Sequence, residues 1–170
     1  MIPIHIFILQ SHILCFLQQV IDSPNVYVFG ELLDHPNMLA LEGAQSTHPA
    51  QGPQHMELLR IFAYGTYGDY LSAAAAGSTG LPELSAAATK KLRLLTIASL
   101  ATRTKTIKYS DLQAELRIDS VRELEDLIIE GSNENVLRGK LDQRSSQFEV
   151  DFAMARDIQR VSQFGHYSGV

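Results

Sequence analysis

The side chains in this 170-residue chain that could do chemistry are few and scattered. Six histidines occur, but no His-x-His pair is present, so His35, His48 and His55 cannot supply the His-x-His plus distant carboxylate set that holds a hydrolytic zinc ion. All six are expected in loops or on the surface. Cys15 is the single cysteine, which excludes a zinc ribbon and an intramolecular disulfide and fits an intracellular chain. Set among Ile, Leu and Phe, it is expected to act as a small core hydrophobe. The stretch from Gly43 to Gly52 lacks the Gly-Lys-Ser/Thr of a phosphate loop, and Gly65 and Gly68 lack the spacing and preceding strand of a dinucleotide fingerprint. Glu125 and Asp126 are adjacent, so on a helix they point to different sides and form a solvated or partner-facing surface rather than an acid/base pair. The residues therefore predict no enzyme, with no catalytic residue, no cofactor site and no metal site.

With no chemistry to position, the elements themselves carry the reading. A 45% apolar and 19% charged composition is ordinary for a globular protein, and the length suits one good-sized domain or a small domain with a helical companion. The apolar run from Met1 to Leu17 is interrupted by Gln10, Ser11 and His12 and has no Lys or Arg ahead of it. A bilayer asks for about 20 continuous apolar residues, so a buried helix with Pro3 near its start is expected instead of a membrane span. Asp22-Ser23-Pro24-Asn25 ends that helix, and Val26 to Leu33 is read as a second short helix, although its β-branched residues favour a strand. Residues 43–55, rich in Ala, Gln, Gly, Pro and Ser, read as a flexible loop. Met56 to Gly65 and Tyr70 to Gly77 then form a helical hairpin across the Gly65/Gly68 turn.

The second half is more specific. Thr89 to Ala101 is apolar on several sides and so belongs inside, with Ser85 as a candidate cap. Thr104 to Tyr109 alternates as a strand. Ser110 with Gln113, and Ser120 with Glu123, have the spacing of capping boxes, which predicts helices starting at Asp111 and Val121, the second with an apolar stripe of Val121, Leu124 and Ile128, with Leu127 beside them, and an end at Gly131. Val136 to Leu141 and Gln147 to Phe152 read as two strands around a polar turn, with Phe148, Val150 and Phe152 facing inward. Helix, strand, helix, turn, helix and β-hairpin in that order make a winged helix. The expected organisation is a mainly α chain: a helical segment over 1–85, a winged-helix subdomain with a small β-sheet over 86–160, and a tail over 161–170.

Winged helices bind DNA in many proteins, and charge tests that use here. From Lys90 to Arg160 there are thirteen Lys and Arg against twelve carboxylates, and the residues before Lys90 are net acidic. Across Val121 to Glu130 the only cation is Arg122, against Glu123, Glu125, Asp126 and Glu130, so the helix that would enter a groove is repelled by phosphates. Arg138, Lys140 and Arg144 of the wing are offset by Asp142, Glu149 and Asp151. No nucleic-acid partner is expected.

The runs Ser120 to Glu130, Val136 to Gln143, Phe148-Glu149-Val150, Val26 to Leu33 and Phe62 to Tyr67 resemble the seventh-subunit family of the COP-nine signalosome, a branch of the PCI-domain family shared with the proteasome lid and translation initiation factor three. The resemblance spans about residues 18 to 160, and the run over 121 to 143 is its most specific part. It implies helical repeats followed by a winged helix, and a non-catalytic scaffold role in the cytoplasm and nucleus. In that family winged helices of several subunits pack side by side, and the assembly removes the ubiquitin-like protein NEDD from cullin ubiquitin ligases, with the zinc protease site on a different subunit. The implied partners are other PCI-domain subunits and the metalloprotease-type subunits; a lid or initiation-factor subunit would share the fold and differ in partners. A wing strand with a free edge could extend one sheet across subunits, and Asp142 to Phe152 is where that edge is expected. The candidate interface residues are Arg122, Glu123, Glu125, Asp126, Leu141, Phe148, Val150 and Phe152. Family members also carry more N-terminal helices and long C-terminal tails than the runs Met1 to Leu17 and Val161 to Val170 resemble. A spliced, truncated or mispredicted product is the corresponding expectation, with weakened docking into a shared helical bundle and intact winged-helix packing.

Overall fold

A computed structural model describes residues 4–24, 26–42, 51–75 and 80–157. Helix α1 (Ile4–Asp22) is followed by α2 (Gly30–Leu33), α3 (Pro36–Glu42), α4 (Gln51–Tyr64), α5 (Tyr67–Ala75) and α6 (Ala86–Ala101). Strand β1 (Thr106–Lys108), helices α7 (Tyr109–Leu116) and α8 (Val121–Asn133), and the hairpin β2 (Leu137–Asp142) and β3 (Gln147–Ala153) complete the winged helix. The expected tail over 161–170 and the loop residues 43–50 lie outside the described residues.

Two helices organise the packing. α4 touches α1, α2, α3 and α5, while α6 touches α1, α5, α7, α8, β1 and β3. One hydrophobic core runs through both, from Leu17, Ile21 and Phe29 through Leu59 and Phe62 to Leu92, Leu95, Leu112, Leu124 and Phe148. The apolar periphery predicted for α6 is met: Leu92, Leu94, Leu95, Ile97 and Ala98 are all buried, and Ser85 caps the helix by accepting from the Ala88 N–H at 3.1 Å.

Polar side chains tie the two halves where backbone groups would otherwise be orphaned. The buried Lys91 ammonium donates to Ile21 O (2.6 Å) and Val20 O (3.3 Å) in the last turn of α1 and to Ser23 O just beyond it, and lies 5.8 Å from the ring centroids of Tyr27 and Phe29. A cation there also complements the negative end of the helix dipole. Burial pulls its pKa down to about 8, against the opposing attraction of Asp22. Arg156, just past β3, closes the C-terminus of α4 by donating to Phe62 O (2.6 Å), Ile61 O (3.5 Å) and Gly65 O, and to Ser99 Oγ of α6 (2.7 Å). Its neighbour Asp157 accepts from the Phe29 N–H at 2.7 Å.

Several local expectations are corrected. Residues 51–55 of the predicted loop are the first turn of α4; Pro53 fits there because first-turn N–H groups have no intrahelical acceptor. Only Gly30–Leu33 of the Val26 to Leu33 stretch is helical; before it, Tyr27 and Phe29 point into the core while Val28 is exposed, the alternation of an extended chain. α7 starts at Tyr109, not Asp111. The buried Tyr109 anchors that start by donating its N–H to Ser146 O at 2.9 Å, so Ser110 bonds to Asp111 and Gln113 donates to Asp119 O instead of forming a capping box. α8 runs past Gly131 to Asn133. Gly131 is a contact residue, since an added Cβ would meet Leu94 Cδ2 at 2.6 Å, and the left-handed residue beyond the helix is Asn135, with φ 58°. Cys15 is exposed, because Leu14, Leu17 and Ile21 take the inner face of α1.

Candidate partner-binding face

The sheet order is β1-β3-β2, both pairings antiparallel. β3 therefore sits in the middle: Gln147 to Glu149 pair with both neighbours and the Val150 N–H also donates to Lys105 O at 2.7 Å, while Phe152, beyond the bulge, pairs with Arg138 of β2 alone. Among the described residues the long free edge is that of β2, Leu137–Asp142, and of the expected stretch Asp142 to Phe152 only Asp142 and the end of β3 beyond the β1 pairing leave a side open. β1 is the other edge but has only three residues.

A one-residue irregularity shapes the hairpin. Gly139 pairs with Val150 and Arg138 with Phe152, which leaves Asp151 as the extra residue of a β-bulge. The bulge shifts the inward face by one position. Phe148 is 1% exposed and Val150 half-buried as predicted, yet Phe152 is 51% exposed and Ala153, opposite the buried Leu137, points inward in its place. Gly139 is demanded by this geometry: a Cβ would sit 2.1 Å from Glu149 O and 2.7 Å from the Phe148 ring.

The wing turn is set by Asp142, whose Oδ1 accepts from the N–H groups of Arg144 and Ser145, both at 3.0 Å. Those bonds, with the Ser145 hydroxyl foremost, hold its carboxyl below the usual range. Ser146 then takes the left-handed conformation with φ 51°.

On α8 the four charged candidates separate into two kinds. Ser120 caps the helix as expected, its Oγ accepting from the Glu123 N–H at 3.4 Å, while the Glu123 carboxylate pairs with Arg93 of α6 at 3.1 Å. Glu125 holds the wing against the helices: Tyr109 Oη donates to its Oε1 at 3.1 Å and Gln143 Nε2 to its Oε2 at 3.0 Å. Burial, then the Glu125 bond and charge, push the Tyr109 pKa up to about 12. Glu123 and Glu125 thus hold intramolecular positions, whereas Arg122 and Asp126 are exposed.

Two apolar side chains of α8 were not expected outside. Val121 is 46% exposed and Ile129 is 49% exposed. Its spacing puts Val121 in the apolar stripe, but as the first residue of α8 it projects beyond the core. Ile129 had a signal in Leu127-Ile128-Ile129: three consecutive apolar residues on a helix cannot all face one core, and the first two are buried. Ile129 stands beside the β2 edge. Together with Leu141, Gly139 and Phe148 it lines a cavity of about 150 Å³ between α8 and the hairpin.

This face can therefore offer unpaired strand N–H and C=O groups, an apolar side chain and a shallow adjoining cavity. It brings together Leu141 and Phe148 of the predicted set and adds Ile129. Among the described residues no group of three or more His, Cys, Asp or Glu could hold a metal ion, and no helix is long and apolar enough to cross a membrane.

A three-helix core closed by a β-hairpin and preceded by packed helices is the architecture of the PCI domain, and residues 73–152 match the PCI domain family; the chain is a PCI-domain protein. Its relatives place it more finely. It is similar to COP9 signalosome complex subunit 7a of Pongo abelii, 47% identical over 144 residues covering 85% of this chain and 49% of that protein. Identity is 44% over 142 residues with COP9 signalosome complex subunit 7 of Drosophila melanogaster, covering 84% and 48%. With the Dictyostelium discoideum subunit 7 it is 40% over 147 residues, covering 86% and 53%. The chain spans about half the length of these curated relatives. The resemblance read from residues 121 to 143 and their flanks is thus to the same family.

Proposed function

We propose that this chain is a non-catalytic scaffold subunit of a signalosome that removes NEDD from cullin ubiquitin ligases, and that it binds neighbouring subunits through its winged helix. The observation that carries the reading is the unpaired edge of β2 beside the exposed Ile129, in a domain whose relatives are signalosome subunits. A strand from a neighbour can add to that edge by backbone hydrogen bonds, with an apolar side chain seated against Ile129 and Leu141. Arg122 and Asp126 then supply polar rim contacts. Val150 and Phe148 support the edge from within, and Phe152, on the opposite side of the bulge, adds apolar area. Glu123 and Glu125 act indirectly by fixing α8 and the wing.

The acidic surface of α8 supports a protein partner over DNA for the same face. Affinity purification of the tagged chain from cells, followed by mass spectrometry, tests the reading. Co-purification of other PCI subunits and a zinc-dependent protease subunit is expected. Ile129→Asp should cut that recovery at least tenfold while leaving thermal unfolding unchanged. Equal recovery with the variant would remove the face, and recovery of lid or initiation-factor subunits in place of signalosome subunits would reassign the complex.

A further inference from the structure

Away from the wing, α2, α3 and α4 enclose an open groove of about 790 Å³. The buried Leu33, Met56 and Ile61 give it apolar lining, to which Leu39 (53% exposed) and the half-buried Tyr64 add. Its walls are acidic. Of the seven carboxylates before Lys90, Glu31, Asp34, Glu57 and Asp69 line this groove, and Asp157 joins them from beyond the wing. Among the described residues Arg60 lines the same groove and pairs with Glu57 at 3.5 Å, and the Arg156 guanidinium, which bonds to Gly65 O, lies within electrostatic reach of Asp69 and Asp157 and offsets part of their charge.

Three of these carboxylates have local roles: Asp69 accepts from Thr66 N–H (2.7 Å) and Thr66 Oγ1 (2.9 Å), Asp157 holds the Phe29 N–H, and Glu57 meets Arg60. Glu31 and Asp34, at the two ends of α2, are exposed, and their carboxylates make no hydrogen bond or ion pair among the described residues. Low-dielectric walls around like charges focus their field into the cleft, so its complement is positive. The exposed Leu39 and the Tyr64 ring add apolar area that a hydrated small cation would not use, and the groove has the volume of a site that buries several side chains.

We propose that this groove docks a basic peptide segment of a partner protein, Lys or Arg side chains on the Glu31 and Asp34 wall flanking one Leu- or Phe-sized side chain against Leu39 and Tyr64. This site is separate from the β2 edge and does not depend on the complex to which the chain belongs.

The test is fluorescence anisotropy of a labelled dodecapeptide containing Lys, Arg and one central Leu, titrated with the full chain, beside a peptide in which Ser replaces that Leu and one in which Glu replaces the basic residues. The basic Leu peptide should bind, the Ser peptide several-fold more weakly and the acidic peptide not at all. Glu31→Lys with Asp34→Lys should weaken binding at least tenfold. Glu83→Lys with Asp151→Lys, which changes net charge equally at exposed positions outside the groove, should weaken it less than threefold. Leu39→Ser should abolish the difference between the Leu and Ser peptides. Absence of binding, or equal losses from the two charge-reversed pairs, would overturn the proposal; in the second case only net charge attracts the peptide. Because all five substituted residues are exposed, circular dichroism of each variant should match the parent.

Discussion

Replacing Arg156 by Met keeps most of the stem and removes the guanidinium that joins the exit of β3 to the end of α4 and to α6. The structure sets the size of the effect. The fork donates to the Ile61 and Phe62 carbonyls in the last turn of α4, to Gly65 O just beyond it and to Ser99 Oγ. Hydrogen bonds involving a charged group each contribute about 1.5–3 kcal/mol, but they are not additive, and the Ile61 contact at 3.5 Å is marginal. Burial also disfavours the ion, lowering its pKa from the ordinary value, and Nε is buried without an acceptor. Against this, the variant leaves partly buried carbonyls without a donor, at about 1–3 kcal/mol each where water cannot reach them. A net loss of about 3 kcal/mol follows.

With a urea slope of about 2 kcal/mol/M, typical for a domain of this size, the midpoint should fall by about 1.5 M. Arg156→Lys should fall between the two, because an ammonium can hold one or two of these acceptors but not the planar set. Equilibrium unfolding followed by tyrosine fluorescence and by far-UV circular dichroism provides the measurement. A midpoint shift under about 0.3 M for Arg156→Met would show that water satisfies the α4 carbonyls and that the clamp contributes nothing. A Lys variant as stable as the parent would show that only the positive charge at the helix end matters.

Two further outcomes concern Lys91 and Gly139. Between about 8, where Lys91 titrates in the folded chain, and its ordinary 10.5, the unfolded chain keeps a proton that the folded chain has released, so stability from this group rises with pH across that window. Lys91→Met should remove a slope of up to about 1.4 kcal/mol per pH unit between pH 8 and 10, below the range where Tyr109 contributes the opposite sign; urea titrations at several pH values that gave parallel curves would refute it. Gly139→Ala should cost about 1–3 kcal/mol, since its Cβ meets the Glu149 carbonyl, whereas Gly68→Ala, whose Cβ would find only ordinary contacts from 3.6 Å outward, should be neutral or stabilise by up to about 1 kcal/mol; equal thermal shifts for the two would contradict the bulge geometry.

The order of elements from α6 onward was legible because each signal is local: an apolar run in Leu92 to Ala98, the Ser120 cap, and alternation through Gln147 to Phe152. What failed depended on partners distant in sequence. Ser110 loses its predicted cap because Ser146, at the far end of the wing, takes the Tyr109 N–H and moves the helix start. Phe152 turns outward because a bulge at Asp151 breaks a period that is perfect in the sequence. Strand order is equally non-local, and nothing in Leu137 to Ala153 says which strand of the hairpin meets β1. The charged candidates on α8 illustrate the same limit: Glu123 and Glu125 look like Arg122 and Asp126 in the sequence, and only Arg93, Tyr109 and Gln143 separate them.

The polar residues of α6 bear on how such a domain could bridge neighbours. On a helix whose large apolar side chains are almost all buried, the polar side chains between them reach several other elements. Lys91 reaches the end of α1, Arg93 pairs with Glu123 of α8 and lies 5.1 Å from the Tyr67 ring, Thr96 accepts from the Tyr67 N–H at 2.9 Å, and Ser99 meets Arg156. Buried polar contacts tolerate little displacement, because a misplaced donor loses its acceptor and finds no water to replace it. α6 therefore acts as a common spindle that fixes the helical segment against the wing. An acidic groove at α2 to α4 and a free strand edge at β2, joined through the elements packed on α6, can orient two partners relative to each other, which a flexibly linked pair of modules could not do without losing the angle between them.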